Sequence, residues 1–100
     1  MKVTSYEEMI QYLRKNREQF RKKFGVTKIG IFGSFARNEQ TQSSDIDIVI
    51  EMEKERKNLH NFLQMKRYLE NETERKIDLG FEHTIKEAVK EKIKEQIIYV

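Results

Sequence analysis

The sequence predicts an α/β fold, a small mixed β-sheet of about three strands backed by helices in the order α-β-α-β-α-β-α. Two observations predict it. Apolar residues recur at helical spacing in three long segments, and short runs rich in Ile and Val stand between them. Strands that alternate with helices bury both apolar surfaces by packing the helices on the sheet. The chain has 100 residues, no proline, no low-complexity linker and no internal repeat. It therefore reads as a single domain over residues 1–100.

Each element has its own signal. Residues 5–23 read as a helix: Ser5 and Glu8 have capping-box spacing, Met9, Leu13, Phe20 and Phe24 fall near one face, and Gly25 is a stop. Residues 28–32 form a buried strand that ends at Gly33. A short helix is expected over 34–38, then a polar loop over 39–44. Residues 45–52 alternate and form the second strand, and a charged turn follows over 53–57. The next helix spans 58–71 with Leu59, Phe62, Leu63 and Leu69 inward. Residues 76–81 are the third strand. Thr84 and Glu87 make a second capping box, and the last helix carries Ile85, Ala88, Val89, Ile93 and Ile97 on one stripe. The apolar end, Ile97 to Val100, belongs either to the core or to an interface.

Composition excludes several classes. There is no cysteine, hence no disulfide framework and no thiolate metal site. The N-terminus lacks the apolar run of a signal peptide, and no stretch is long enough to span a membrane. A soluble, cytoplasmic protein is expected, with no membrane partner. The net charge is +3, with both signs mixed along the helical segments. Arg14, Lys15, Arg17, Arg21, Lys22 and Lys23 thus read as a solvated helix face, and no direct nucleic-acid binding is expected. His60 and His83 read as surface residues.

The chemistry concentrates in Gly33-Ser34, ten residues, then Asp45-Ile46-Asp47. Alternate side chains of a strand point to one face, so Asp45 and Asp47 converge. Their mutual repulsion is relieved by a cation, and the hard, oxygen-preferring ion that also binds phosphate is Mg²⁺. Glycine at a strand end lets a phosphate approach the backbone, the following helix would aim free N–H groups at it, and the Ser34 hydroxyl can donate to it. Asp78 lies between Ile77 and Leu79. It either completes a carboxylate triad or sits on an exposed face.

The combination of Gly33-Ser34, Asp45-Ile46-Asp47 and Asp78 resembles the DNA polymerase β-type nucleotidyltransferase superfamily. The wording Gly33-Ser34-Phe35-Ala36-Arg37, the run from Ser44 to Val49 and the ending Gln96 to Val100 resemble its minimal members, the minimal nucleotidyltransferase (MNT) antitoxins. The resemblance runs from about residue 5 to the end and implies the nucleotidyltransferase fold. By the same resemblance Gly33 and Ser34 bind the nucleoside triphosphate, with Arg37 either on phosphate or on the surface. Asp45 and Asp47 hold two Mg²⁺ ions, and Asp78 binds metal on the acceptor side and helps deprotonate the attacking hydroxyl. Asn38 stands where the family often has glycine, a mild departure because asparagine tolerates the left-handed conformation.

The implied activity is transfer of AMP from ATP to a hydroxyl, with pyrophosphate leaving. The implied acceptor is a tyrosine of a partner HEPN-type toxin, in a toxin–antitoxin system. The alternatives are an antitoxin that masks its toxin without catalysis, and a small-molecule nucleotidyltransferase. A homo- or hetero-oligomer is compatible with each.

Overall fold

A computed structural model describes residues 2–32, 45–84 and 97–100. The order is α1 (Tyr6–Phe24), β1 (Val26–Phe32), β2 (Ile46–Met52), a 3-10 turn (Lys54–Arg56), α2 (Leu59–Thr73), β3 (Ile77–Phe81) and β4 (Ile98–Tyr99). The strands form one sheet in the order β3-β2-β1-β4. β1 is antiparallel to β2 and to β4, and β2 is parallel to β3, so the sheet is mixed as expected. Among the described residues no helix is long and apolar enough to cross a membrane.

The first helix starts and stops where its local chemistry dictates. The Ser5 hydroxyl accepts the Glu8 backbone N–H at 3.1 Å. Gly25 ends the helix with φ 72°, and its N–H returns to the Arg21 carbonyl. The end is also held from outside. Arg56 donates to the carbonyls of Arg21, Lys22 and Lys23, and the Asn61 amide donates to the carbonyls of Phe24 and Arg56. A cation and an amide thereby occupy the negative end of the helix and join it to α2.

One face of the sheet carries the core. Ile29 and Ile31 of β1, Ile46, Ile48 and Ile50 of β2, and Ile77 and Leu79 of β3 pack against Met9, Leu13 and Phe20 of α1 and Met65 and Leu69 of α2. The opposite face holds a smaller apolar contact of Val49 and Ile97, with Phe32 beside it.

Three details differ from the sequence expectation. First, Leu59 and Leu63 point outward, 72% and 39% exposed, and Met65 takes the core position. Residues two apart do not share a helix face, so once Met65, Leu69 and Thr73 face the sheet, Leu63 cannot. Second, Ile98–Tyr99 adds a fourth strand where about three were expected, and Ile97, expected on a helix, precedes it in non-helical backbone. The Val100 N–H donates to the Ile29 carbonyl at 3.0 Å, and a glycine on β1 makes the room. A Cβ on Gly30 would lie 2.9 Å from Ile97 Cγ2 and 3.1 Å from the Ile98 carbonyl oxygen. Third, residues 82–84 are already helical, so Thr84 is not a cap. The His83 N–H is satisfied by the Glu51 carboxylate from β2 at 3.0 Å, which replaces a local cap. Glu87 and the stripe residues Ile85, Ala88, Val89 and Ile93 lie outside the described residues, as do the short helix and polar loop expected over 34–44.

Two stability predictions follow from this packing. Gly30→Val should lower stability by about 1–3 kcal/mol in urea denaturation, because backbone and not only side chains must yield. Tyr12 is buried, and its hydroxyl has no hydrogen-bond partner among the described residues. Tyr12→Phe is therefore expected to be neutral or to stabilise by up to about 1 kcal/mol in the same measurement.

Candidate active site

The alternation of β2 decides where its carboxylates go. Ile46, Ile48 and Ile50 are fully buried against the helices, so Asp47, Val49 and Glu51 occupy the other face. Asp45 precedes the first strand residue by one position and is exposed. In the parallel ladder Asp47 is the register partner of Asp78. Side chains in register on neighbouring strands share a face, so Asp47 and Asp78 stand side by side, with strands about 4.8 Å apart. Asp78 is exposed and Asp47 half-buried.

The antiparallel ladder brings a third element to the same place. Phe32, the last residue of β1, is the register partner of Asp47. Gly33 follows it directly, so the chain leaves β1 beside the carboxylates. Gly33, Ser34 and Arg37 themselves lie outside the described residues.

Among the described residues no group of three or more Asp, Glu, His or Cys side chains is gathered closely enough to hold a metal. The ladder pairs Asp47 with Asp78, but Asp45 lies outside it. The chemistry nonetheless fits: all three are hard oxygen donors, two in register and the third two residues earlier on the same strand path.

The same sheet face carries a second polar group that lies outside the sequence motif. Glu51 accepts from Lys57 Nζ at 3.0 Å, and its other oxygen lies 2.7 Å from His83 Nδ1. Burial opposes the charge of Glu51, but the hydrogen bonds from His83 and Lys57 prevail and hold its carboxyl at about 2. Nearby, Tyr99 donates to Glu82 at 2.6 Å and Lys28 donates to the other Glu82 oxygen at 3.3 Å. Burial and the Glu82 carboxylate push the Tyr99 hydroxyl up to about 12. Continuing the same count of two from Asp45 and Asp47 through Val49 reaches Glu51, so a signal for it was present in the sequence. His60 and His83 are both exposed, as expected, although His83 engages Glu51.

Comparison with known proteins decides the family. The nucleotidyltransferase domain model matches residues 13–100. The chain belongs to the nucleotidyltransferase domain family. A candidate protein adenylyltransferase of Methanocaldococcus jannaschii is 40% identical over 99 residues, covering 98% of this chain and all of that protein. The protein adenylyltransferase MntA of Thermococcus cleftensis is 31% identical over 100 residues, covering the whole of both chains. Among solved structures, a candidate minimal nucleotidyltransferase superposes with TM-score 0.77 at 23% identity, over 95% of each chain. A toxin–antitoxin complex with AMP-PNP gives TM-score 0.66 at 19% identity, over 96% of this chain and 72% of the other. The fold is that of the minimal nucleotidyltransferases, and the chain is a nucleotidyltransferase acting on a nucleotide substrate.

The Glu51 cluster makes a pH prediction. A carboxyl held below its ordinary value contributes stability above that value, and the contribution is lost as pH falls toward about 2. Wild-type stability should therefore drop between pH 4.5 and about 2, and Glu51→Gln should flatten that drop. At neutral pH the variant should be less stable by of order 1 kcal/mol, after allowance for solvent screening, as read by thermal melts across the pH series.

Proposed function

We propose that this nucleotidyltransferase is a Mg²⁺-dependent protein adenylyltransferase that acts as an antitoxin, in a type VII-like toxin–antitoxin system. It transfers AMP from ATP to a hydroxyl, a tyrosine of a partner HEPN-type toxin, and thereby silences it. The observation that carries this reading is the end-to-end correspondence with the adenylyltransferase MntA, which leaves no part of either chain over. The toxin–antitoxin neighbour with AMP-PNP supports the partner class and the nucleotide. The 1–100 chain is read as a single catalytic domain.

Each residue has a role in this reading. Gly33 and Ser34 receive the triphosphate, with Arg37 on its phosphates. Asp45, Asp47 and Asp78 would hold Mg²⁺, which neutralises phosphate charge in an in-line displacement. The acceptor oxygen attacks the α-phosphorus, the bond from that phosphorus to the β-phosphate oxygen breaks, and pyrophosphate departs. Asp78, exposed on an edge strand, faces the acceptor and helps take up the hydroxyl proton. The rest of the work is positioning, as phosphoryl-transfer sites require.

The test is intact-mass spectrometry of the HEPN protein encoded beside this chain, after incubation with it, ATP and Mg²⁺. The expected result is a gain of about 329 Da per AMP. Asp45→Ala/Asp47→Ala should slow that gain at least about a hundredfold. No gain, with equal neutralisation by wild type and double mutant, would instead establish masking by binding. Transfer to a small hydroxyl compound without any protein would establish the small-molecule reading.

A further inference from the structure

We propose that the outer face of α2 and the adjoining edge of β3 form the surface on which the protein acceptor docks. The recognised segment is apolar with acidic flanks. This rests on the reading that the acceptor is a protein. Leu59 and Leu63, one helical turn apart, are 72% and 39% exposed and are the most exposed large aliphatic residues described. Beside them the half-buried rings of Phe62 and Phe81 lie 4.8 Å apart between centroids. Leu59, Phe62 and Phe81, together with Lys57 and Thr84, border a groove of about 470 Å³, and Leu63 lies one helical turn beyond Leu59. Exposed apolar side chains that continue into a groove are the ordinary mark of an interaction surface.

Charge selects the occupant. The first turn of α2 has no acidic residue. His60, Lys66 and Arg67 surround the two leucines and have no ion-pair partner among the described residues. Among the described residues the one cation on the groove itself, Lys57, is already neutralised by Glu51 at 3.0 Å. A second copy of this chain on a two-fold axis would set these cations against one another. An acidic, apolar segment of a different protein complements them.

The position of the groove argues for a macromolecule. β3 is an edge strand, paired only with β2 among the described strands, and it carries Asp78 near one end and Phe81 at the other. Three residues of strand span about 10 Å. A small molecule held among Phe62, Phe81 and Leu59 does not reach Asp78, which also lies on the opposite face. A folded partner seated there can pass a side chain around the open edge to it.

The experiment uses the full chain and the purified HEPN protein encoded beside it. Leu59→Asp/Leu63→Asp and Lys66→Glu/Arg67→Glu are compared with wild type for partner Kd, ATP binding and AMP transfer. Circular dichroism and melting check the fold. Both variants should weaken partner binding at least tenfold and lower transfer equally at low partner concentration. ATP binding and the rate at saturating partner should not change. Unchanged binding and transfer in both folded variants would overturn the proposal. So would a wild-type dimer, seen by light scattering, that Leu59→Asp/Leu63→Asp abolishes. If wild type binds its partner and transfers nothing, the adenylyltransferase reading falls, and the binding comparison still decides the docking surface. If wild type does not bind the partner at all, the docking proposal falls.

Discussion

The alternation of β2 is the constraint on which the rest depends. This strand is paired on both sides, with β1 antiparallel and β3 parallel. A slip of one residue in either ladder would put Asp47 into the core and an isoleucine into solvent. The burial of Ile46, Ile48 and Ile50 against α1 and α2 forbids that slip. The hydrophobic effect thus sets the register, and the register places the carboxylates. Nothing in the carboxylates themselves favours their proximity, since like charges side by side repel.

The two sheet faces do different work. The helical face is closed by large aliphatic and aromatic residues and supplies the core. The other face is divided along its length. Asp47 and Asp78 stand at one end, Val49 and Ile97 meet in the middle, and at the far end Lys57 and His83 hold Glu51 while Lys28 and Tyr99 hold Glu82. The far end is internally neutralised, with each carboxylate there held by a cation and a further donor. Functionally, the proposed chemistry occupies the end of the sheet where β1 runs into the Gly33-Ser34 segment.

The helices are fixed to this sheet by polar contacts at one corner as well as by the core. Gly25 permits the left-handed turn that brings β1 back along α1, and a side chain at that position would collide with Arg56. Arg56 and Asn61 then satisfy the last carbonyls of α1. With α2 anchored there, its Met65–Leu69–Thr73 face turns to the sheet and its Leu59–Leu63 face turns out. The outward leucines are therefore a consequence of how the corner is built.

Much of this was determined by the sequence alone. Period-2 and period-3.6 patterns, Ser5, Gly25 and the Ile-rich runs marked α1, β1, β2, α2 and β3 to within a few residues, because those signals are local. The motif Gly33-Ser34 with Asp45 and Asp47 pointed to the family that comparison then established. Tertiary structure decided the rest. The pairing of Asp47 with Asp78 spans 31 residues and is visible only in the ladder. The edge strand Ile98–Tyr99 depends on the space over Gly30, and the start of the turn at residue 82 depends on a carboxylate from β2. The orientation of Leu59 and Leu63 depends on which face of α2 the corner presents. Each of these is a contact between residues far apart in the chain, and local periodicity carries no information about such contacts.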